Sequence, residues 1–281
     1  MKKAALFLVL MLLCALPAPA DSLQAAGPVE EADQASLAGY IIILYTGDTL
    51  GQADENLGFD RVAEAKERFA KEGAAVLLLD AGNAFPAPAE GEEDQSADIA
   101  KAMTKAGYDA MTPGEADFAG SARRLTALAK EAGFPLLSAN AKDGDGAQLL
   151  SGSILVERDG LRIGVFGLTG NIEAEGLTVS SASKAAHSAV STLRGEGCDV
   201  VIALSRLGLD ESGASVAAAL AADLDGLDII IDMDAAAPEK GRWLDNGMLI
   251  VSGSAHLERI GIIAIDPSGS CAALSMDESW F

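Results

Sequence analysis

The chain has 281 residues, 42 acidic and 20 basic, for a net charge of −22. A surface this acidic repels phosphate backbones and anionic headgroups, which excludes nucleic acid and membrane surfaces as main partners. With aromatic residues at 5% and two histidines in the chain, base stacking and imidazole-ligated metal chemistry have little to work with.

Residues 1–20 combine a basic start (Lys2, Lys3), an apolar run from Ala4 to Leu16 and the small-residue pattern Ala18-Pro19-Ala20. This predicts a secretory signal cut after Ala20. The apolar run is short of the ~20 residues a spanning helix needs, so no membrane association is expected after cleavage. Leu13 before Cys14 does not suit a lipoprotein site. The mature protein is expected to be exported, to a periplasm or to the medium. Residues 21–38 are small, acidic and aperiodic, as in a flexible leader. Residues 39–281 show no repeat and no second composition regime, and read as one domain.

Within that domain, apolar runs alternate with amphipathic stretches. The runs are 41–45, 75–80, 108–112, 135–139, 161–168, 199–204, 227–232, 248–253 and 260–266. Helices are predicted over 59–73, 97–107, 122–133 and 183–197, the first placing Phe59, Val62, Ala65 and Phe69 on one stripe. Residues 151–168 read as a hairpin turning at Arg158-Asp159-Gly160. Near-continuous apolar strands separated by helices describe an α/β fold with a largely parallel sheet covered on both faces. Glu90 to Asp94 reads as an exposed loop. Cys198 and Cys271 are either two buried thiols or one bridge.

In open α/β sheets, function sits at the carboxyl ends of the strands. Those ends here are "TGDTLG" (46–51), "LDAGNAF" (79–85), "TPGEADF" (112–118), "LSRLG" (204–208) and "IDMDAAA" (231–237). Their order and framing resemble the five metal-site motifs of the calcineurin-like metallophosphoesterases, most closely the N-terminal domain of 5′-nucleotidases. The resemblance runs from about residue 40 to 266 and includes "GYDAMTPGEADF", "FPLLSANA" and "RIGVFGLTG". It implies mostly parallel or mixed sheets flanked by helices, an α/β/β/α sandwich. It also implies two cations ~4 Å apart that activate a water, with a histidine stabilising the transition state.

On that resemblance the first motif keeps its aspartate as Asp48, while its histidine position holds Leu50. The bridging aspartate falls at Asn83, the asparagine ligand at Glu115 and the catalytic histidine at Ala116. Arg206 replaces a histidine in the fourth motif, and Asp234 and Ala236 replace two in the fifth. His187 and His256 lie at none of these positions. The family's second domain, which carries the base-binding aromatics, would need several hundred further residues.

Two functional readings follow. The first is an exported, non-catalytic member of that superfamily, with no catalytic residue and no cofactor, binding an unidentified protein or small molecule. The second is a residual phosphoester hydrolase whose oxygen donors Asp48, Asn83, Glu115 and Asp234, with Asp117 and Asp232 nearby, hold Mg²⁺ or Ca²⁺. Glu115 and Asp117 are equally readable as solvated residues or helix caps after the turn at Pro113-Gly114. Arg206 either holds an anionic ligand or forms an ion pair with Asp234 or Asp48 in place of the metal charge.

Overall fold

The computed structural model describes residues 36–234 and 240–281. The expected signal, most of the leader and Ala236 lie outside them. In chain order the elements begin with β1 (Ile41–Thr46), α1 (Gly58–Lys71), β2 (Ala75–Asp80), α2 (Ser96–Ala106), β3 (Ala110–Met111), α3 (Glu115–Phe118) and α4 (Ala122–Glu131). The middle of the chain forms β4 (Ala141–Lys142), β5 (Ser153–Arg158), β6 (Leu161–Thr169), β7 (Thr178–Val179) and α5 (Ala182–Gly195). Then come β8 (Val200–Arg206), α6 (Val216–Ala222), β9 (Ile229–Asp232), β10 (Arg242–Trp243), β11 (Leu249–Val251), β12 (Ile260–Ile265) and β13 (Cys271–Met276).

Where one largely parallel sheet was expected from the apolar runs, there are two mixed ones. The first has the order β13-β12-β1-β2-β3, the second β10-β11-β9-β8-β6-β5, and β4 pairs with β7 in a small ribbon. Alternation along the strands shows how they stack. Ile41, Ile43, Tyr45, Leu77 and Leu79 share a core with Ile163, Val165, Ile202, Leu204 and Ile231 of the other sheet. Ile42, Leu44, Val76 and Leu78 instead pack under α1, α2 and α4. Val201, Ala203, Ile230 and Ile250 pack under α5 and α6. Every central strand is thus buried on both faces, which gives the same continuous apolar run as a single helix-covered sheet. The order of layers is α/β/β/α, the sandwich that the resemblance implies.

The helices begin and end for local reasons. The stripe of α1 buries Phe59, Val62, Ala65 and Phe69, with Asp60 in its first turn and Arg68 and Lys71 in its last, as the helix dipole favours. Helix α2 stops at Gly107, whose φ of +83° closes the left-handed cap. The β5–β6 hairpin turns at Asp159 and Gly160, both left-handed, at φ +47° and +81°.

Several expectations need correction. The leader ends sooner than residue 38, because Leu37 is buried in the helix-side core and its N–H donates to Glu72 O. The run 108–112 shortens to the two-residue β3, and 135–139 contributes only isolated bridges, Met111 to Leu136 and Leu137 to Ser151. Strand β13 and helix α6 were not predicted. Both are rich in alanine, whose small side chain carries little periodic signal but packs closely where the layers meet. The two cysteines are free thiols: Cys198 lies in the α5-side core and Cys271 beside the inter-sheet core, where burial pushes its thiol up to about 12.

Candidate functional site

The carboxyl ends of β1, β2 and β8 converge on one ion pair. β1 leaves the sheet at Thr46 and turns through Asp48 and Leu50, both non-glycine residues in the left-handed region, at φ +50° and +49°. Asn83, after β2, is left-handed too at φ +61°. Such backbone costs roughly 1–2 kcal/mol per residue, least for Asp and Asn, so the surroundings must enforce it. Here Asp48 N–H donates to Gly82 O at 2.8 Å, Leu50 N–H to Asn83 O at 2.9 Å and His256 N–H to Asp48 O at 2.8 Å.

Arg206, the last residue of β8, lays its guanidinium fork on the Asp48 carboxylate, with Nη1 to Oδ2 at 3.1 Å and Nη2 to Oδ1 at 2.9 Å. Asn83 Nδ2 donates to the same Oδ1 at 2.7 Å, and Asn83 Oδ1 accepts from Ala116 N–H at 2.9 Å. The side chains are largely shielded from water, with 9% of Arg206 and 21% of Asp48 accessible. Burial works against the charge on Arg206, but Asp48, then Asp234 and Asp117, outweigh it and raise its pKa. Gly114 supplies the room: a Cβ there would sit 2.3 Å from Asn83 Oδ1 and 3.0 Å from Arg206 Nε.

Two buried carboxylates hold this frame from beneath. Asp117 accepts from the N–H groups of Asn83, Phe85 and Gly114, each at 2.7 Å. The bond to Gly114 caps α3, so the capping reading of Asp117 holds and the solvated one does not. Asp80 accepts from Thr46 Oγ1 and from Gly82 N–H, both at 2.7 Å, and Thr46 Oγ1 shares a further hydrogen bond with Tyr108 Oη at 2.7 Å. Burial pushes the Asp80 carboxyl up to about 7. Asp80, Thr46 and Tyr108 escaped the sequence reading, though Asp80 closes the apolar run "AVLLLD", the place where an α/β strand hands a carboxylate to its loop.

The remaining candidates place no side-chain hydrogen bond on the pair. Glu115 is exposed at the start of α3, and Leu50 is 38% exposed. Asp234 accepts from Gly208 N–H at 3.0 Å. Asp232 is fully buried and accepts from Ser215 Oγ at 2.7 Å, with Ser205 beside it across the ladder, and burial raises its pKa. His187 is exposed on α5 with Nδ1 on Ser183 O at 2.8 Å; His256, at φ +56°, touches the site through its backbone.

No protein-family model matches the chain. Over 152 residues, 50% of the chain, it is 30% identical to the 5′-nucleotidase of Vibrio cholerae, of which that stretch is 28%. The 5′-nucleotidase precursor from Thermus thermophilus shares the fold at a TM-score of 0.71 and 21% identity, over 85% of this chain and 54% of that one. The calcineurin-like phosphoesterase YfkN from Bacillus subtilis does so at 0.65 and 20%, over 84% and 90%. The chain shares the fold of these phosphoesterases and spans under a third of the length of the curated 5′-nucleotidase it matches.

The resemblance implies metal ions in such a domain, so the donors present are to be compared with what a cation needs. In this chain both oxygens of Asp48 are taken by a guanidinium, and the Asn83 oxygen faces a backbone N–H. Glu115 is exposed and Asp234 is engaged at Gly208. The Asp232 carboxylate has hydroxyls as its side-chain neighbours, Ser205 across the ladder and Ser215 on Oδ2. Among the described residues no three His, Cys, Asp or Glu side chains gather as a metal would require. Of the four oxygen donors named for Mg²⁺ or Ca²⁺, Asp48, Asn83 and Asp234 are engaged with protein groups, and the positive charge at Asp48 comes from Arg206.

Proposed function

We propose that the 5′-nucleotidase-like domain is a non-catalytic binding module, exported by the signal at residues 1–20, in which an internal ion pair stands where the resemblance implies metal. The observation that carries this is the two-pronged Arg206–Asp48 contact, with Asn83 completing it. A metallophosphoesterase needs a positive site open to a phosphate oxygen and to an attacking water. A guanidinium with both prongs on a carboxylate has already spent its charge and its best donors on the protein. At Ala116 the side chain is a methyl group, which neither donates a proton nor stabilises developing charge, a loss typically worth ~10²–10⁴ in rate. The relatives' activity on nucleotides is accordingly not assigned to this chain.

The test is hydrolysis of p-nitrophenyl phosphate and of nucleoside monophosphates with Mg²⁺, Ca²⁺, Mn²⁺ or Zn²⁺, run beside thermal melts with the same ions. Absence of both turnover and metal-dependent stabilisation is expected. A cation at 100-fold excess over its Kd would stabilise by ~2.7 kcal/mol, an effect easily seen. Metal-dependent turnover that Asp48→Ala abolishes would establish the residual hydrolase instead. The N-terminal sequence of the secreted protein, expected to start at Asp21, tests export.

A further inference from the structure

Leu50 is one of three large apolar side chains exposed among the described residues, and it lines a groove. The groove has a volume of about 460 Å³ and runs between the β1–α1 loop at Leu50 and the segment after β2 at Pro86 and Pro88, with Ile99 of α2 also lining it. That volume lies within the roughly 300–1,000 Å³ of ligand sites. At its base the chains touch: a Cβ on Gly51 would lie 3.2 Å from Pro86 Cγ and 3.5 Å from Ile99 Cδ1. Glu92 and Glu93 line it from the same segment, exposed and outside any ion pair among the described residues.

This segment is pinned. The Arg124 guanidinium donates to Phe85 O at 3.2 Å and Pro86 O at 3.0 Å at one end. At the other it holds Asp94 at 2.8 and 3.1 Å and Ser96 Oγ at 2.5 Å. One largely buried cation thus closes both ends of the 86–95 segment, and two prolines fix φ inside it. A groove shaped before binding loses little entropy when it is filled.

A groove that presents Leu50 and two prolines and is edged by unpaired carboxylates selects an occupant with both an apolar and a cationic side chain, and the net charge of −22 repels acidic chains. We infer that this groove docks a basic, extended segment of a partner protein, seating an aliphatic or aromatic side chain against Leu50, Pro86 and Pro88 and placing lysine or arginine on Glu92 and Glu93. The inference names a partner class for the binding role proposed above and rests on that reading for its purpose. The groove itself does not involve the Arg206–Asp48 pair.

The experiment is fluorescence anisotropy of the full chain with a short labelled peptide of alternating lysine and leucine, beside a glutamate–leucine peptide and an oligolysine. The lysine–leucine peptide binds saturably and the other two do not. Glu92→Gln with Glu93→Gln weakens it about tenfold. Leu50→Asn weakens it by a similar factor without lowering the melting temperature, because asparagine tolerates the left-handed backbone at 50 better than leucine does. Asp223→Asn with Asp225→Asn, the same charge change under the other sheet, leaves binding unaltered. Oligolysine binding as tightly, the distant pair weakening binding equally, or no saturable binding of the lysine–leucine peptide overturns the inference. Phosphoester turnover measured on the same preparation separates the two claims: it overturns the non-catalytic reading and leaves the peptide result standing.

Discussion

Replacing Arg206 with methionine removes the guanidinium while keeping the length and apolar stem of the side chain. Asp48 then keeps Asn83 Nδ2 as its neutral donor and remains mostly shielded. Stranding one member of a buried pair costs about 3–5 kcal/mol. The remaining Asn83 bond and the 21% access of Asp48 to water reduce this to roughly 2–3 kcal/mol. For a domain of this size that lowers the melting temperature by about 5–10 °C. The variant also makes the net charge more negative, so Arg123→Met, at an exposed arginine, serves as the control for global repulsion. Calorimetry at low and high salt separates the two effects, because salt screens the long-range term and leaves the close pair nearly untouched. A double-mutant cycle with Asp48→Asn should return a coupling of about 1.5–3 kcal/mol. A melting temperature for Arg206→Met equal to that of Arg123→Met would refute the claim that this pair holds the strand ends together.

Asp80 sets a pH dependence. Its folded pKa of about 7 lies above the unfolded value of about 3.9, so the folded state binds the extra proton between them. Stability is then highest below about pH 4 with respect to this group, falls as pH rises towards 7 and levels off above it. Asp80→Asn should flatten that slope in melts across the range, because the Thr46 hydroxyl can reverse its bond to accept the amide and donate to Tyr108. Gly114→Ala drives a methyl into Asn83 Oδ1 and should cost about 2–3 kcal/mol, read by urea unfolding. Asn83→Asp, the residue the resemblance implies there, puts a second carboxylate against Asp48 Oδ1; a loss of about 1–3 kcal/mol at pH 7 that shrinks on acidification is expected.

The layers of the fold were readable because strands such as "IIILY" and "AVLLLD" must be apolar on both faces, and helices such as 59–73 carry a clear stripe. Whether one sheet or two produced those runs was not, since β1 meets β12, and β12 meets β13, through pairings that local periodicity does not register. At the site, sequence reasoning reached Asp48, Asn83 and Arg206, and left Arg206 open between a ligand and an ion pair. The choice depends on which carboxylate lies within reach at the end of β8, a matter of loop geometry. Asp80, Thr46 and Tyr108 went unseen because a buried hydrogen-bonded trio spread over positions 46, 80 and 108 leaves no mark in spacing. The segment around Glu90 to Asp94 read as a plain exposed loop, and its tie to Arg124 is likewise a long-range fact.

The placement of β1 has a consequence for how the chain reaches its native state. Its residues 41–45 pair with residues 261–265, so the middle strand of the first sheet finds one of its two neighbours only near the end of the chain. Closing a loop of that size comes late and makes folding slow. The first sheet cannot assemble progressively as the chain is synthesised, and until β12 arrives the edge of β1 stays unpaired and prone to wrong pairing. A nascent chain cannot complete this sheet before β12 emerges, and truncation within β12 should leave the sheet unformed.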